Sequence, residues 1–222
     1  MFIGHFGIGL IGKKVAPRAS LGTWFLSTQL LDGLWPIFLL LGWEHVKIQP
    51  GITKFTPLNL YDYPISHSLL IVICWSLLFG LIYYAVRRNK KVAILLGLGV
   101  ASHWLLDFIV HRPDLPIIPG GHTYAGLDLW DYPVLTMLLE IPLYLVGVYL
   151  YFRSTRAKDK IGIIAPWFFF IFLFIAYFMS SFGPPPPDVN TLAWVGMTGW
   201  LMMVYTYWFD RHREPVTSFN PP

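Results

Sequence analysis

Residues 92–110 read VAILLGLGVASHWLLDFIV, an apolar run from which the architecture of the whole chain can be argued. At about 1.5 Å per residue, a helix over this range is long enough to cross the hydrocarbon core of a bilayer. The run nevertheless contains His103 and Asp107. A carboxylate at the centre of a membrane helix costs about 2.5–3.5 kcal/mol on insertion scales, and such residues are typical of functional sites. The stretch therefore predicts a transmembrane helix that carries chemistry.

The rest of the chain has the same apolar character. Of its 222 residues, 55% are hydrophobic and only 13% are charged, against roughly 25% charged in typical globular proteins. The mean hydropathy is +0.56. These values exclude a disordered chain and a collagen-like fibre, and the single cysteine, Cys74, excludes a disulfide scaffold. The composition predicts an all-α, polytopic membrane bundle in which residues 1–222 form one integral membrane domain.

Six ranges are long and apolar enough to be transmembrane helices: 21–42, 64–86, 92–110, 132–152, 163–182 and 191–209. The apolar piece before them, residues 1–12, would reach only about 18 Å as a helix, which is too short to cross. We expect this piece to form a short, half-buried helix. Four glycines would allow it to lie close to a neighbouring helix: Gly4, Gly7, Gly9 and Gly12.

The basic residues predict the orientation. Six spans place 13 of the 16 Lys and Arg residues on one side of the membrane, in four clusters: Lys13, Lys14, Arg18; Arg87, Arg88, Lys90, Lys91; Arg153, Arg156, Lys158, Lys160; Arg211, Arg213. Positively charged connections stay in the cytoplasm, so we expect both termini to be cytoplasmic. The clusters also explain the pI near 9.1, which leaves no argument for nucleic-acid binding. The opposite side holds the two long connections, 43–63 and 111–131.

Five ionisable side chains lie within or beside the predicted spans: Asp32, His67, His103, Asp107 and Glu140. Depths counted at about 1.5 Å per residue place all five in the outer half of the membrane. His5, in the N-terminal piece, reaches a similar level from the other side. Because each of these groups is costly in hydrocarbon without a partner, we expect them to form one cluster.

The spacing within the third span is typical of metal ligands. His103 and Asp107 are four residues apart on one helix face, and His111 lies one further turn along. An imidazole and a carboxylate one turn apart can chelate a divalent ion, and zinc accepts such nitrogen and oxygen ligands. The same pair could instead form a buried structural hydrogen bond or part of a proton relay.

Four segments follow one another in a distinctive order along the first half of the chain: Gly4-His5, Leu31-Asp32, Ile65-Ser66-His67-Ser68-Leu69-Leu70 and Ser102-His103-(x3)-Asp107. Together they resemble the bacterial membrane-bound metal-dependent hydrolases, also described as LexA-binding, inner-membrane-associated hydrolases. Two positions depart from that family. The stretch 61–64 lacks its His-Arg pair, and Asp32-Gly33-Leu34 replaces its Asp-x-Asp. Asp62, His111 or Glu140 could supply the missing ligand.

The same ligand order, His, Asp, His and His-x-x-x-Asp, is similar to that of the zinc-dependent phospholipase C superfamily. Those enzymes are all-helical and cleave phosphoester bonds with clustered zinc ions. The further His and His-x-x-x-Glu that complete their site are not found in this sequence. The resemblance therefore implies a site for one or two metal ions.

These resemblances imply a metal-dependent hydrolase of the bacterial inner membrane, acting on an ester or phosphoester of a lipid or lipid-linked substrate at the outer face. Bound zinc would lower the pKa of a water ligand toward ~7. Asp114 or Glu140 would then act as general base, and Arg112 would contact an anionic head group. The implied metal ligands are His5, Asp32, His67, His103, Asp107 and His111.

Two functions of other classes use the same residues differently. A proton-coupled transporter would use Asp32, His103, Asp107 and Glu140 as a relay across the membrane. A non-catalytic membrane subunit or assembly factor would keep the metal motif for structure alone and would contact a protein partner, whose identity the sequence does not indicate.

Overall fold

The computed structural model describes residues 1–216, and within that range the chain is mainly helical. The longest connections lie between the third and fourth helices and between the sixth and seventh. The nine α-helices of the described range are α1 (Ile3–Val15), α2 (Leu21–Thr28), α3 (Leu30–Leu40), α4 (Pro64–His67), α5 (Leu69–Arg87), α6 (Lys90–Val110), α7 (Pro133–Ser154), α8 (Lys160–Phe182) and α9 (Val189–Asp210).

Four of these helices, α5 to α8, are long and apolar enough to cross a membrane. Apolar side chains cover their outer surfaces, as on α5, where Leu77 and Leu81 are both largely exposed. Within residues 1–216, α9 is as long as these four but is not among them, because threonine, tryptophan and tyrosine make it less apolar. The predicted helical architecture is therefore confirmed. Four helices of membrane-spanning length and composition lie within or near the predicted spans 64–86, 92–110, 132–152 and 163–182.

The first predicted span, 21–42, is wrong as a single helix. Here α2 ends at Thr28 and α3 begins at Leu30, and Gln29 between them has φ −111° and ψ 9°. The helical pattern resumes where Gly33 N donates to the Gln29 carbonyl oxygen at 2.8 Å. With 11 residues, α3 is too short to cross a bilayer alone. Because neither proline nor glycine occupies position 29, the apolar run predicted one helix.

The second predicted span, 64–86, also divides into two helices. Pro64 begins the short helix α4, a position where its missing N–H costs nothing. Ser68, with φ −68° and ψ 138°, is extended and ends α4, and α5 follows at once. The break places His67 at the end of α4, so its ring is presented by a turn and not by the long helix.

Helix α1 packs against α7 through two glycines. A Cβ added at Gly147 would lie 2.7 Å from the Gly7 carbonyl oxygen, and one at Gly7 would lie 2.9 Å from that of Leu143. Real Cβ atoms do not approach backbone so closely, and the two helices can meet only because neither position has a side chain. The predicted close approach of the N-terminal helix is thus confirmed, and most of α1 is buried.

Short β-strands occupy the connections, so the prediction of an all-α chain is wrong in these places. Three antiparallel pairs occur within the described range: β1 (His45–Ile48) with β2 (Leu58–Asp62), β3 (Leu115–Pro116) with β4 (Tyr124–Ala125), and β5 (Thr155–Ala157) with β6 (Arg213–Pro215). The first pair folds the long 43–63 connection into a hairpin, with a register irregularity between His45 and Lys47. The third pair joins the end of α7 to the end of α9.

The four basic clusters lie at one end of the bundle. Lys13 Nζ is 2.9 Å from Asp210 Oδ2, which joins the end of α1 to the end of α9. The β5–β6 pair brings the end of α7 to the same place. An apolar cluster of Ala16, Trp24 and Val92 adds the start of α6. The long connections 43–63 and 111–131 therefore lie at the opposite end.

Candidate metal centre

Helix α6 supplies three ligand-type residues on successive turns. Its first turn is capped by Asn89, whose side chain accepts a hydrogen bond from Val92 N at 3.1 Å. The helix then runs without a break to Val110, so His103 and Asp107 share one buried face, and His111 follows as the residue that ends the helix. The local spacing seen in the sequence is therefore preserved in three dimensions.

Residues from three other helices meet this face. Two groups of three residues each offer ligand atoms that lie within 4.8 Å of one another. The first group is His5, His103 and Asp107, and the second is Asp32, His67 and His103, so His103 belongs to both. His103 Nε2 is 3.2 Å from Asp107 Oδ2 and 3.5 Å from Asp32 Oδ1. The structure thus brings together five of the six predicted ligands around one imidazole nitrogen.

The proton on His103 can be assigned by counting donors and acceptors. Nδ1 lies 2.7 Å from the main-chain carbonyl oxygen of Thr28, which can only accept a hydrogen bond. Nδ1 must therefore carry the hydrogen, and Nε2 of the neutral ring holds a lone pair. Within the described residues, this buried Nε2 has no hydrogen-bond partner. Its lone pair faces two carboxylates, which are themselves acceptors.

The ring of His67 is oriented in the same way, by Ser66 and by Glu44 behind it. Ser66 Oγ donates to Glu44 Oε2 at 2.6 Å, so its single hydrogen is used there. The same oxygen lies 2.6 Å from His67 Nδ1 and must accept from it. In the neutral ring, Nε2 of His67 then holds a lone pair, and it lies 3.7 Å from Asp32 Oδ1 and 3.8 Å from Asp107 Oδ2.

His111 and His5 both lie beside the carboxylate of Asp107. His111 Nδ1 donates to Asp114 Oδ1 at 3.1 Å, and its Nε2 lies 3.8 Å from Asp107 Oδ1. His5 Nε2 lies 3.1 Å from that same oxygen, and its ring stacks on His103 with centroids 3.6 Å apart. The Met1 amino group also contacts Asp107.

A divalent cation fits this set of atoms. A proton on Nε2 of His103 would let that nitrogen donate to a carboxylate. The Nε2 lone pairs of His67 and His111 would still face carboxylates. A metal ion accepts imidazole and carboxylate ligands together, and metal-binding histidines ordinarily donate their other nitrogen to an acceptor, as three do here. Because His103 has only one free nitrogen, the two groups that share it describe a single centre. Nitrogen and oxygen donors of this kind suit several first-row metals.

The residues predicted to be catalytic lie around this cluster. Asp114 sits behind His111: its Oδ1 also accepts from the Tyr63 hydroxyl at 2.9 Å, and its Oδ2 from Arg112 Nε at 3.0 Å. Burial, followed by the Asp114 carboxylate, raises the pKa of the Tyr63 phenol, so the hydroxyl stays protonated and donates. Arg112 also donates to Asn59 Oδ1 at 2.7 Å. Both charged groups are thus held by other residues of the chain.

Glu140 occupies a different position. Its Oε2 accepts from the main-chain nitrogens of Phe2, at 2.8 Å, and Gly4, at 3.2 Å, so it holds the start of α1. Its Oε1 has no partner among residues 1–216, and Glu140 lines the same cavity as Asp107. Asp62, one of the replacements considered for a missing ligand, instead pairs with His45 at 2.7 Å on the exposed face of the β1–β2 hairpin.

A cavity of about 790 Å³ opens beside the cluster. Asp32, His67 and Asp107 line one part of it, and the remainder runs between α3, α8 and α9 to the proline-rich turn at 184–187. The cluster is therefore accessible from outside although most of its members are buried.

A comparison of the chain with protein-family models, with curated proteins and with solved structures finds no match.

Two contributors to the site carry no local signal in the sequence. The Thr28 carbonyl can hold His103 only where α2 ends, at a break that no proline or glycine marks. Glu44 lies 22 residues from the Ser66 it holds, across the β1–β2 hairpin. The pair Ser66-His67 was visible as part of a motif, but the carboxylate behind it was not.

Proposed function

We propose that this protein is a metal-dependent hydrolase of the bacterial inner membrane that cleaves an ester or phosphoester of a lipid or lipid-linked substrate. One observation carries the proposal. Three imidazoles, of His67, His103 and His111, each donate Nδ1–H to an acceptor and turn Nε2 toward the carboxylates of Asp32 and Asp107. Such an arrangement is typical of a metal centre.

The chain offers distinct roles for the residues around that centre. Asp32, His67, His103 and Asp107 would hold a zinc ion, with His5 and His111 beside them. The metal would supply a Lewis acid that makes water acidic enough to react near neutral pH. Glu140, which lines the cavity and whose Oε1 has no partner among residues 1–216, is the group that would take the proton. Asp114 would position His111, since its oxygens are already engaged.

The predicted orientation supports a substrate from the outer leaflet. The basic clusters share one end of the bundle, and the positive-inside rule assigns that end to the cytoplasm. With six spans and both termini inside, the cavity beside the proline-rich turn would open toward the periplasm. The order of Gly4-His5, Leu31-Asp32, the 65–70 segment and Ser102-His103-(x3)-Asp107 supports the same class of enzyme by its resemblance to the membrane-bound hydrolases.

A proton relay across the whole membrane has less support. The second buried ionic group of the described residues, Lys13 with Asp210, lies at the basic end. Packed aromatic rings of Phe6, Phe25 and Phe169, with centroids 5.0 to 6.3 Å apart, fill the core between that pair and the metal cluster. A relay would need titratable groups at this level.

The proposal is tested by metal analysis of the purified protein in detergent. We expect close to one zinc ion per chain in the wild type and in His45→Ala, a surface histidine control, and loss of the ion in His103→Ala and Asp107→Ala. The same four proteins are then assayed for release of head groups from phospholipid vesicles. Wild-type protein that holds no stoichiometric metal, or that holds it without hydrolysing any ester or phosphoester lipid offered, would contradict the proposal.

A further inference from the structure

The cavity is much larger than the cluster it reaches. Its wall follows α9 from Thr191 to Met203, which is about 18 Å of helix at ~1.5 Å per residue. On the opposite side, α8 contributes Phe172 and Met179. Such a volume is that of a small-molecule pocket, whereas a metal ion and a water need only a small part of it.

Two helices that bound the cavity, α8 and α9, contact each other near the basic end of the bundle. Near the basic end, the rings of Phe169 and Tyr205 pack in a tilted arrangement with centroids 5.8 Å apart, and the Tyr205 hydroxyl lies 3.5 Å from the Ala165 carbonyl oxygen. Toward the proline-rich turn, residues of both helices line the cavity instead. Met179 and Val195, which face it, are 61% and 62% exposed. The cavity therefore opens sideways between α8 and α9, at the depth of the membrane.

The chemistry of this wall selects the occupant. Apolar side chains give water too few hydrogen-bond partners, and apolar cavities of proteins stay dry. A gap between helices in a bilayer also loses dispersion contacts unless hydrocarbon enters it. A lipid chain already lies in an apolar medium, so it can enter through the side opening without a desolvation cost.

Two polar groups mark where the head of such a molecule would lie. Gln29 Nε2 and Trp35 Nε1 are buried N–H donors that have no partner in the described part of the chain. Both residues line the cavity on the side of Asp32, and Gln29 is only 5% exposed. Buried donors need acceptors, and the ester or phosphoryl oxygens of a lipid supply them.

We propose that the cavity between α3, α8 and α9 binds one linear hydrocarbon chain of a membrane lipid, with Gln29 and Trp35 donating to the oxygens of its head group. The proposal rests on the proposed function only for the fate of that head group, because the chain site itself requires no metal. The break at Gln29, which ends α2, is what places an amide at the junction between the apolar cavity and the metal cluster.

The site can be tested with a photoreactive lipid. Phosphatidylglycerol with a diazirine in one acyl chain is mixed into vesicles that contain the protein, the sample is irradiated, and adducts are mapped by mass spectrometry. We expect adducts on α8 and α9 at Phe172, Met179 and Val195 to exceed those on α5 at Leu81, which is exposed outside the cavity. Competition by unlabelled phosphatidylglycerol or by a linear prenyl phosphate identifies which source of chain is preferred.

A blocking variant provides the matched control. Among residues 1–216, no atom lies within 4 Å of a Cβ added at Gly199, so Gly199→Phe can fill the cavity without a backbone clash. It should reduce the cavity adducts several-fold. Val204→Phe adds similar bulk on the exposed side of the same helix and should leave them unchanged. Ala176→Phe, on the facing helix, repeats the block if Gly199→Phe does not fold.

Two results separate this inference from the proposed function. In Asp107→Ala, which should lose the metal, the cavity adducts should persist. Cavity adducts in a wild-type protein that hydrolyses none of the lipids offered would overturn the proposed function alone. Adducts that match those of Leu81 in yield and do not respond to Gly199→Phe or Ala176→Phe would overturn the chain site, whatever the activity of the protein.

Discussion

Glu44 accepts the hydroxyl hydrogen of Ser66 across 2.6 Å, and this contact determines which nitrogen of the neighbouring His67 ring is free. The other carboxylate oxygen of Glu44 accepts from the main-chain nitrogens of Ile65 and Ser66, both at 2.7 Å. One buried side chain thus caps α4 and orients the imidazole at its end. A residue of the long connection is therefore expected to control metal binding.

Glu44→Gln should reverse the direction of this hydrogen-bond chain. The glutamine oxygen can keep the main-chain contacts, but its NH₂ group would donate to Ser66 Oγ. The Ser66 hydroxyl would then donate to His67 Nδ1 and leave the hydrogen on Nε2, where it blocks a metal ligand. Loss of such an outer contact typically costs about 10–100-fold in metal affinity, and we expect a loss in that range by titration calorimetry.

Two further variants make this measurement specific. Ser66→Ala removes the partner of Nδ1 without imposing the wrong tautomer, so its loss of affinity should be smaller than that of Glu44→Gln. Asp62→Asn alters an exposed carboxylate of the same hairpin and should have no effect on metal affinity. Equal affinities for wild type and Glu44→Gln would show that the carboxylate does not orient His67.

Gly147→Ala should weaken both the bundle and the metal site. The added methyl group would lie 2.7 Å from the Gly7 carbonyl oxygen, so α1 must move away from α7. Overpacking of this kind costs about 1–3 kcal/mol in the free energy of unfolding. Because α1 carries His5 to its contact with Asp107, metal affinity should fall as well.

Thermal unfolding in detergent and metal titration measure the two effects separately. Gly199→Ala is the matched control, since the same methyl group there has open space. A Gly147→Ala protein that equals Gly199→Ala in both measurements would contradict a close α1–α7 contact as the support of His5.

The ligands on α6 could be predicted from the sequence because helical spacing is a local property. His103 and Asp107 are four positions apart, and any helix places such a pair on one face. Asp32 and His67 were expected nearby from their depth alone, which required only the apolar boundaries of each span. The spacing of the α6 ligands and the depths of Asp32 and His67 are both distances along the chain, and a regular helix converts these directly into distances in space.

The orienting contacts could not be predicted in this way. The carbonyl of Thr28 and the carboxylate of Glu44 reach their partners through a helix break and a hairpin, which depend on tertiary packing. Asp114 was expected to be a base because it lies near the cluster in sequence. Its contact with Tyr63, 51 residues away, could not be read from that proximity, and it is the Asp114 oxygen that accepts from Tyr63 that also contacts His111 Nδ1.

Lys13→Met should destabilise the protein strongly without changing its metal affinity. Lys13 is buried, and it bonds to Asp210, which also accepts from Leu21 N at 2.8 Å and from the Tyr151 hydroxyl at 3.1 Å. Removing one partner of a buried ion pair leaves an uncompensated charge, which typically costs about 3–5 kcal/mol. Lys14→Met, at the exposed neighbouring position, should change the free energy of unfolding by less than about 0.5 kcal/mol.

Thermal unfolding in detergent measures the change in stability, and metal titration measures the change in metal affinity. The expected result is a large loss of stability for Lys13→Met with unchanged metal affinity, because the pair lies at the basic end of the bundle and the ligands do not. Equal stability of the Lys13→Met and Lys14→Met proteins would mean that the pair does not hold α1, α2 and α9 together.

The cap of α8 should respond to acid. Asp159 Oδ1 accepts from Gly162 N at 2.9 Å, and its Oδ2 lies 2.6 Å from His212 Nδ1. The hydrogen bond with His212, followed by that with Gly162, lowers the pKa of Asp159 below its ordinary value of 3.8. A carboxyl whose pKa is lower in the folded state stabilises the fold above its ordinary pKa, and this contribution disappears as pH falls through the lowered value.

Hydrogen exchange at the Gly162 amide measures this effect, expressed as protection relative to the unfolded chain. Protection should be constant from neutral pH down to the ordinary carboxyl range and should decline only below it. In Asp159→Asn it should be lower throughout and lose this dependence on pH. Asp188→Asn, which removes the charge at the corresponding cap of α9, should alter protection at Thr191 and leave Gly162 unchanged. A decline at Gly162 that survives in Asp159→Asn would assign the acid response to another group.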